Sequence, residues 1–241
     1  MVFSSWRGVV GVIKPTYRPG SLEEFIRLLP EGIGVIPLYL GIKRGTEEEF
    51  ASVLDVVKRK VAKLAALEVD LIHPEGAPPF MLLGYEGERR LIDEWEREFG
   101  KTIFTSGMSQ VEALRALGVK KILGLTYFTG GINEKYARYF REAGFAVLAM
   151  EGMSVPFAEV GHLSPFEVYA FVKKQFLRYS EAEALYLLGT GWRILDIVQV
   201  LEDDLEVPVI HPVPARVWAV QKRLRVKKRI LGYGRLLADM P

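Results

Sequence analysis

Two short loops of the sequence contain side chains that can move protons or bind a small anion. The first loop follows an apolar run and contains His73, Glu75 and Gly76, and the second contains Gly189-Thr190-Gly191. A carboxylate and an imidazole can act as general acid and base, and glycines let a ligand approach backbone N–H groups. Lys14, at the end of the first apolar run, could add an ammonium group. These residues predict proton-transfer chemistry on an anionic substrate.

Short apolar runs that alternate with helical patterns must position these loops. Eight runs are interpreted as strands, over residues 8–13, 34–40, 69–73, 102–105, 121–126, 146–150, 184–188 and 208–211. Their lengths are typical of buried parallel strands, and the segments between them are typical of crossover helices. The sequence therefore predicts an α/β protein.

Hydroxyl residues placed three positions before a glutamate predict where helices begin. The pairs are Ser21 with Glu24, Thr46 with Glu49, Ser109 with Glu112, and Ser164 with Glu167. Pro165 strengthens the last prediction because proline fits the first position of a helix. Gly118 and Gly144 predict two helix ends.

The order of strands and helices repeats once along the chain. Residues 1–117 form one predicted half and residues 118–215 the second, and a closing helix within residues 216–241 is expected to complete the first half. Ligands of parallel sheets bind beyond the carboxyl ends of the strands, so a cleft between the halves would collect loops from both. Thr16 and His211 lie in such loops and are expected to contact a ligand.

Composition excludes several classes of function. The 32 Lys and Arg nearly balance the 30 Asp and Glu, so the charge excess of nucleic-acid-binding proteins is missing. No apolar stretch is long enough to cross a bilayer and no signal-peptide pattern is present, so we expect a cytoplasmic protein without a membrane partner. No metal motif and no complete cofactor-binding motif is found, so we expect no cofactor. Apolar residues on predicted helix surfaces favour a homo-oligomer.

Four segments of the chain resemble one known family. They are residues 11–15 (GVIKP), 113–122 (ALRALGVKKI), 126–134 (TYFTGGINE) and 232–236 (GYGRL). Together they resemble arylmalonate decarboxylase and its relatives, the maleate isomerases and the aspartate/glutamate racemases. The resemblance covers nearly the whole chain. It implies two Rossmann-like halves related by a pseudo-twofold axis, and cofactor-free chemistry at a carbon next to a carboxylate.

The chain departs from this family at the cysteines. Members carry them at two pseudo-symmetric strand ends, and the decarboxylases keep only the second; the corresponding positions here are Gly76 and Thr190, in a chain without cysteine. A threonine hydroxyl is not ionised near neutral pH, so a mechanism with two matched thiols is excluded. The anion-stabilising hydroxyls of the decarboxylase pocket are replaced by Ala77 and Pro78, and a loop tyrosine aligns with Phe128, beside Tyr127.

The resemblance implies an enzyme, specifically a cofactor-independent decarboxylase (a lyase) that acts on a small (di)carboxylate through an enolate or enediolate. The developing negative charge would be held by Thr190, Gly191 and Tyr127. The proton would be moved by one of three side chains, Glu75, His73 or Lys14. The residues expected to contact the substrate are Gly76, Ala77, Thr16, Tyr127, Phe128, Gly191 and His211.

Two alternatives stay open at this point. The same pocket could hydrolyse or isomerise a small carboxylate or amide, with Glu75 activating a water molecule. Alternatively, the chain could bind carboxylates without catalysis, because the thiols of its relatives are missing. The sequence does not identify the substrate.

Overall fold

Two parallel four-stranded sheets form the framework of the computed structural model, which describes residues 3–241. The first sheet has the order β2-β1-β3-β4 and contains β1 (Gly8–Lys14), β2 (Ile33–Tyr39), β3 (Leu71–Pro74) and β4 (Thr102–Ile103). The second has the order β6-β5-β7-β8 and contains β5 (Lys121–Thr126), β6 (Ala146–Gly152), β7 (Ala184–Leu187) and β8 (Val209–Ile210). The predicted α/β fold with two four-stranded halves is therefore confirmed. Residues 1 and 2, assigned to the first half, lie outside the described residues.

Helices follow most strands and cover the sheets. In chain order they are α1 (Gly20–Leu28), α2 (Glu47–Ser52), α3 (Leu54–Ala65), α4 (Pro78–Met81), α5 (Tyr85–Phe99), α6 (Ser106–Ala116), α7 (Gly131–Glu142), α8 (Pro165–Phe176), α9 (Val198–Leu205), α10 (Pro212–Arg223) and α11 (Arg235–Asp239). Short 3-10 helices cover Phe3–Ser5, Val160–His162 and Leu195–Ile197. Across residues 3–241, none of the helices combines the length and apolar character needed to span a membrane.

Two predicted helix starts are confirmed. Thr46 caps α2 by accepting a hydrogen bond from the Glu49 N–H. Ser164 caps α8 in a reciprocal arrangement with Glu167, and Pro165 occupies the first helical position. These caps satisfy N–H groups that the helix itself leaves without a partner.

The other two predicted starts are wrong. Helix α1 begins at Gly20, so Ser21 lies inside its first turn and does not cap it. Helix α6 begins at Ser106 and is capped by Thr105, whose hydroxyl accepts a hydrogen bond from the Met108 N–H, and Ser109 lies one turn into the helix. Neither serine hydroxyl caps a helix, because Ser21 Oγ donates to Glu75 and Ser109 Oγ donates to the Ser106 carbonyl.

The closing helix begins earlier than predicted and is almost entirely enclosed. Helix α10 starts at Pro212 and packs against α1 and α6 of the first half and against α11. All residues from Pro212 to Gln221 are buried. The first half therefore receives a core element from the end of the chain, and that element contains the fully buried Arg216.

Candidate active site

A cavity of about 320 Å³ lies between the two halves, where the loops after β1, β3, β4, β5, β7 and β8 meet. Seven predicted site residues line it: Thr16, Gly76, Ala77, Tyr127, Phe128, Thr190 and Gly191. Gly76 and Thr190, which the resemblance matched to the family cysteines, thus border the same cavity. The structure does not place Glu75, His73, Lys14 or His211 on this wall; all four are buried behind it.

The wall of the cavity contains both apolar and polar groups. Apolar atoms are contributed by Ile42, Phe50, Pro78, Pro79, Phe128 and Phe157. Polar groups are contributed by Thr16, Ser21, Ser106, Gln110, Tyr127 and Thr190, and guanidinium groups by Arg18 and Arg193. Arg18 also joins the two halves, because its Nη2 donates a 2.7 Å hydrogen bond to the Phe157 carbonyl. A site of this composition can hold a small molecule with one apolar and one anionic region.

Glu75 is the centre of a buried polar network directly behind the cavity wall. Its Oε1 accepts hydrogen bonds from Ser21 Oγ at 2.8 Å and from Thr190 Oγ1 at 3.1 Å. Lys14 Nζ lies 3.5 Å from the same oxygen and also donates to Ser21 Oγ. Arg216 Nη1 lies 2.6 Å from the second oxygen, Oε2. The carboxylate therefore connects both halves and α10.

The two cations keep Glu75 ionised. Burial by itself would raise the pKa of Glu75, but Arg216, Lys14 and the hydrogen bond from Ser21 together lower it to about 2. Burial lowers the pKa of Lys14, and Glu75 opposes that change. A carboxylate with so low a pKa is a poor proton acceptor near neutral pH. Its geometry suits the orientation of the two hydroxyls better than it suits a general base.

Arg216 and Ser21 belong to this network, although the sequence reasoning identified neither of them. Arg216 also donates to the Ser21 carbonyl, and its guanidinium lies 4.4 Å from the centre of the Phe25 ring. The signal for Arg216 was present in the sequence, because it is a single charged residue within the apolar stretch 212–220. An arginine inside a buried helix requires an anionic partner.

The two buried histidines have structural surroundings. His73 Nδ1 donates to the Phe104 carbonyl at 2.8 Å, and its ring stacks on the Phe104 ring. His211 caps α10, with Nδ1 accepting from the Val213 N–H at 3.3 Å. Burial, with Arg216 nearby, lowers the pKa of each to about 3, so both are neutral at physiological pH. The expected proton transfer by His73 and substrate contact by His211 are not favoured by these positions.

The loop after β7 has very little space around its glycines. A Cβ atom on Gly189 would lie 2.2 Å from Tyr127 Oη, and one on Gly191 would lie 2.9 Å from a Val160 methyl group. Burial raises the pKa of Tyr127 to about 12, and a backbone hydrogen bond from Gly191 acts in the opposite direction. Tyr127 is therefore a neutral hydroxyl held against the loop that contains Thr190.

Gln110 is a cavity residue that the sequence reasoning also missed. It is fully buried, and neither its Nε2 nor its Oε1 has a hydrogen-bond partner within residues 3–241. Gln110 follows the α6 cap Thr105 by five residues, as Arg216 follows the α10 cap His211 by five. The two helices thus place a polar side chain at the same position. A buried amide without partners is costly, and a polar ligand would satisfy it.

A second buried carboxylate, Glu88, lies behind the start of α6. Its oxygens accept hydrogen bonds from Thr105 Oγ1 at 2.6 Å and from the Tyr139 hydroxyl. No cation within the described chain pairs with it, and burial raises its pKa to about 7. The folded protein therefore holds a proton on Glu88 between pH 4.5 and 7, which the unfolded chain releases.

This protonation predicts how stability changes with pH. The contribution of Glu88 to the free energy of unfolding is fully present below pH 4.5 and is lost as the pH rises through 7. Glu88→Gln removes the titration, so the variant is expected to exceed the parent at pH 8 by up to about 3 kcal/mol in free energy of unfolding, and to match it near pH 4. Urea unfolding at both pH values measures the difference. Glu86→Gln, on the exposed side of α5, is the control, and an equal change in both variants would contradict the prediction.

The described residues 3–241 contain no cluster of three or more His, Asp or Glu side chains that could hold a metal ion. The polar lining of the cavity consists of hydroxyl groups, an amide, two guanidinium groups, the His162 imidazole and one carboxylate, Glu23. Such a site can bind a carboxylate and stabilise added negative charge on it.

Comparison with known proteins agrees with the fold. The sequence model of the family described as arylmalonate decarboxylase matches residues 10–237. Arylmalonate decarboxylase of Bordetella bronchiseptica is 24% identical over 235 residues, covering 95% of this chain and 96% of that protein. The crystal structure of the maleate isomerase of Pseudomonas putida S16 superposes with a TM-score of 0.90 at 21% identity, covering 97% of this chain and 99% of that one.

A third similar protein is the maleate cis-trans isomerase of Nocardia farcinica, solved as a mutant with a covalently bound succinylcysteine intermediate. Its TM-score is 0.88 at 20% identity, covering 96% of this chain and 98% of that chain. Identity at this level shows the fold, whereas the match of the family model extends over most of the sequence. The chain therefore belongs to the arylmalonate decarboxylase family.

Proposed function

We propose that this protein is a cofactor-independent decarboxylase of a small dicarboxylate, and that the reaction passes through an enediolate in the cavity between the halves. The observation that carries the proposal is the composition of that cavity. Its wall combines apolar side chains with hydroxyl groups from both halves. Decarboxylation needs both kinds of surface, because one carboxylate is lost and the other gains negative charge.

The apolar side chains would act on the carboxylate that leaves. An ionised carboxylate placed against Pro78, Pro79 and Phe128 loses hydration without gaining hydrogen bonds. Carbon dioxide is neutral, so its release removes this unfavourable contact. Desolvation of the leaving group thus favours cleavage of the carbon–carbon bond.

The polar groups would hold the carboxylate that stays. Tyr127 presents a hydroxyl group and Gln110 an amide without a protein partner. The Thr190 hydroxyl donates to Glu75 at 3.1 Å and would turn its hydrogen toward the substrate to hold it. With a pKa raised to about 12, Tyr127 stays protonated and can donate a hydrogen bond. Donors already in position stabilise charge that develops in the transition state. Gly76 contributes space but not its N–H, which donates to Ser106 Oγ at 3.2 Å.

The missing thiols favour decarboxylation over isomerisation. The isomerase of Nocardia farcinica was solved with a succinylcysteine intermediate, and such a covalent bond requires a cysteine. This chain has no cysteine. Decarboxylation through an enediolate needs no covalent bond to the protein. Water activation by Glu75 is also disfavoured, because Arg216 and Lys14 lower the pKa of its carboxylate and make it a weak base, and because Glu75 does not line the cavity.

A panel of substituted malonates and short dicarboxylates tests the proposal. We expect carbon dioxide release from at least one malonate, and a loss of about 10²-fold in kcat for Thr190→Val, which removes one hydroxyl at nearly constant volume. Thr129→Val, in an exposed loop, is the control. Carbon dioxide is measured by a coupled assay, and cis-trans conversion of unsaturated dicarboxylates by proton NMR.

Two outcomes would contradict decarboxylation, and a third would contradict the role of Thr190. Tight binding of malonates without turnover would identify a carboxylate-binding protein. Conversion of cis to trans dicarboxylates without carbon dioxide release would identify an isomerase. Equal rates for Thr190→Val and the parent would remove Thr190 from the site.

A further inference from the structure

A lysine and a serine form a hydrogen-bonded pair at the edge of the cavity. Lys14 is the last residue of β1 and only 1% exposed, and its Nζ donates to Ser21 Oγ in the first turn of α1. Ser21 lines the cavity, whereas Lys14 does not. A buried ammonium group is thus connected to the cavity through one hydroxyl.

Ser21 differs from the other hydroxyl that contacts Glu75. Ser21 and Thr190 both donate to Glu75 Oε1, at 2.8 and 3.1 Å. Of these two, Ser21 also contacts a group that can supply a proton, namely Lys14. A hydroxyl hydrogen rotates about its C–O bond. Ser21 can therefore turn its proton from Glu75 toward a ligand while its oxygen keeps the hydrogen bond from Lys14.

The charges around Lys14 allow it to lose a proton. The groups that face its ammonium are Glu75 from the loop after β3, Arg216 from α10 and Glu24 from α1. Arg216 lies closer to the Glu75 carboxylate than Lys14 does, 2.6 Å against 3.5 Å. When Lys14 becomes neutral, Glu75 and Arg216 remain as a paired anion and cation. Burial, which lowers the pKa of Lys14, acts in the same direction.

We propose that Ser21 is the proton donor of the reaction and that Lys14 replaces the proton that Ser21 gives away. The inference rests on the proposed function, in which an enediolate carbon must be protonated after carbon dioxide leaves. The Ser21 O–H bond breaks as the electron pair of the enediolate forms the new C–H bond. Ser21 Oγ takes a proton from the Lys14 ammonium in the same step. Neutral Lys14 later recovers a proton through Ser21 from a water molecule in the cavity, and the resulting hydroxide leaves with the product.

Hydrogen exchange on the product separates this step from carbon–carbon cleavage. By microscopic reversibility, the group that protonates the enediolate also removes the α-proton of the monocarboxylate product. The parent enzyme is therefore expected to exchange the α-hydrogen of an arylacetate or related monocarboxylate in D2O, measured by proton NMR. Ser21→Ala is expected to reduce both exchange and decarboxylation by about 10² to 10⁴-fold, the usual range for a lost general acid.

Further variants distinguish proton transfer from a structural role. Ser21→Cys, which places a thiol at the position of the hydroxyl and so keeps a proton donor there, is expected to retain exchange that Ser21→Ala loses. Ser52→Ala on the exposed end of α2 serves as the control. The parent kcat should fall at high pH as Lys14 loses its proton. Lys14→Arg should be slow and lack this high-pH decrease, because arginine keeps its proton. Thr190→Val should keep the decrease.

The results separate the two proposals. If the parent decarboxylates malonates and Ser21→Ala exchanges the product at the parent rate, the inference is overturned and the proposed function stands. If the parent exchanges α-hydrogens without releasing carbon dioxide, and Ser21→Ala abolishes exchange, decarboxylation is overturned and Ser21 remains the proton donor. If the parent does neither on any compound, both are overturned.

Discussion

Arg216→Met is expected to lower the free energy of unfolding by about 3–5 kcal/mol, the usual cost of removing one partner from a buried ion pair. Arg216 and Glu75 are both 1% exposed in their side chains, and their charged atoms lie 2.6 Å apart. Methionine fills similar space but leaves Glu75 with only Lys14, at 3.5 Å, as a compensating cation. Urea unfolding at pH 7, followed by circular dichroism, measures the loss.

A second ion pair provides the control. Arg27 and Asp196 are 3.2 Å apart, but their side chains are 53% and 76% exposed, so Arg27→Met is expected to cost at most about 1 kcal/mol. Adding Glu75→Gln to Arg216→Met should recover part of the loss, because the uncompensated charge disappears. If Arg216→Met lowers the free energy of unfolding by less than Arg27→Met does, Arg216 is not needed to compensate the buried charge of Glu75.

Gly189→Ala is expected to reduce kcat/KM by about 10²-fold or more, the effect of moving catalytic groups by about 1 Å. The added Cβ would lie 2.2 Å from Tyr127 Oη. Gly189 also has a φ of +93°, a backbone conformation that residues other than glycine rarely adopt. The Gly189 carbonyl also accepts a 3.1 Å hydrogen bond from Trp192 Nε1. Displacing this residue therefore moves Thr190, Tyr127 and Trp192 together. Steady-state kinetics on the best malonate measures the change.

Gly118→Ala separates backbone strain from steric contact. Gly118 also has a positive φ, +72°, but no atom lies within 4 Å of an added Cβ. This variant is expected to be slightly less stable and to keep the parent kcat/KM. If both variants lose activity equally, the close approach of Tyr127 to Gly189 is not what positions the site.

The strands and helices could be predicted from the sequence because the patterns that indicate them involve residues close together in the chain. All eight predicted strands are present, although β4 and β8 are each only two residues long. Alternation of buried strands and amphipathic helices depends on neighbouring residues, as do the caps at Thr46 and Ser164. Local patterns therefore predicted the fold and the loops that surround the cavity.

The buried polar network around Glu75 could not be predicted in this way, because its residues are far apart in the sequence. Ser21 satisfies the pattern of a helix cap, but its hydroxyl bonds Glu75, 54 residues away. Glu75 follows a strand and was expected to face a ligand, yet Arg216 and Lys14 hold it behind the wall. Which buried charge pairs with which is decided by tertiary packing, and a single sequence does not contain that information.

The position of Arg216 also has a consequence for synthesis on the ribosome. Arg216 follows Ser21 by 195 residues, so Lys14 and Glu75 leave the exit tunnel long before their guanidinium partner exists. Until α10 emerges, the nascent first sheet must keep these two groups hydrated or accept an incompletely neutralised charge in its interior. The final packing of the amino-terminal half must therefore wait until α10 has been synthesised and has left the tunnel.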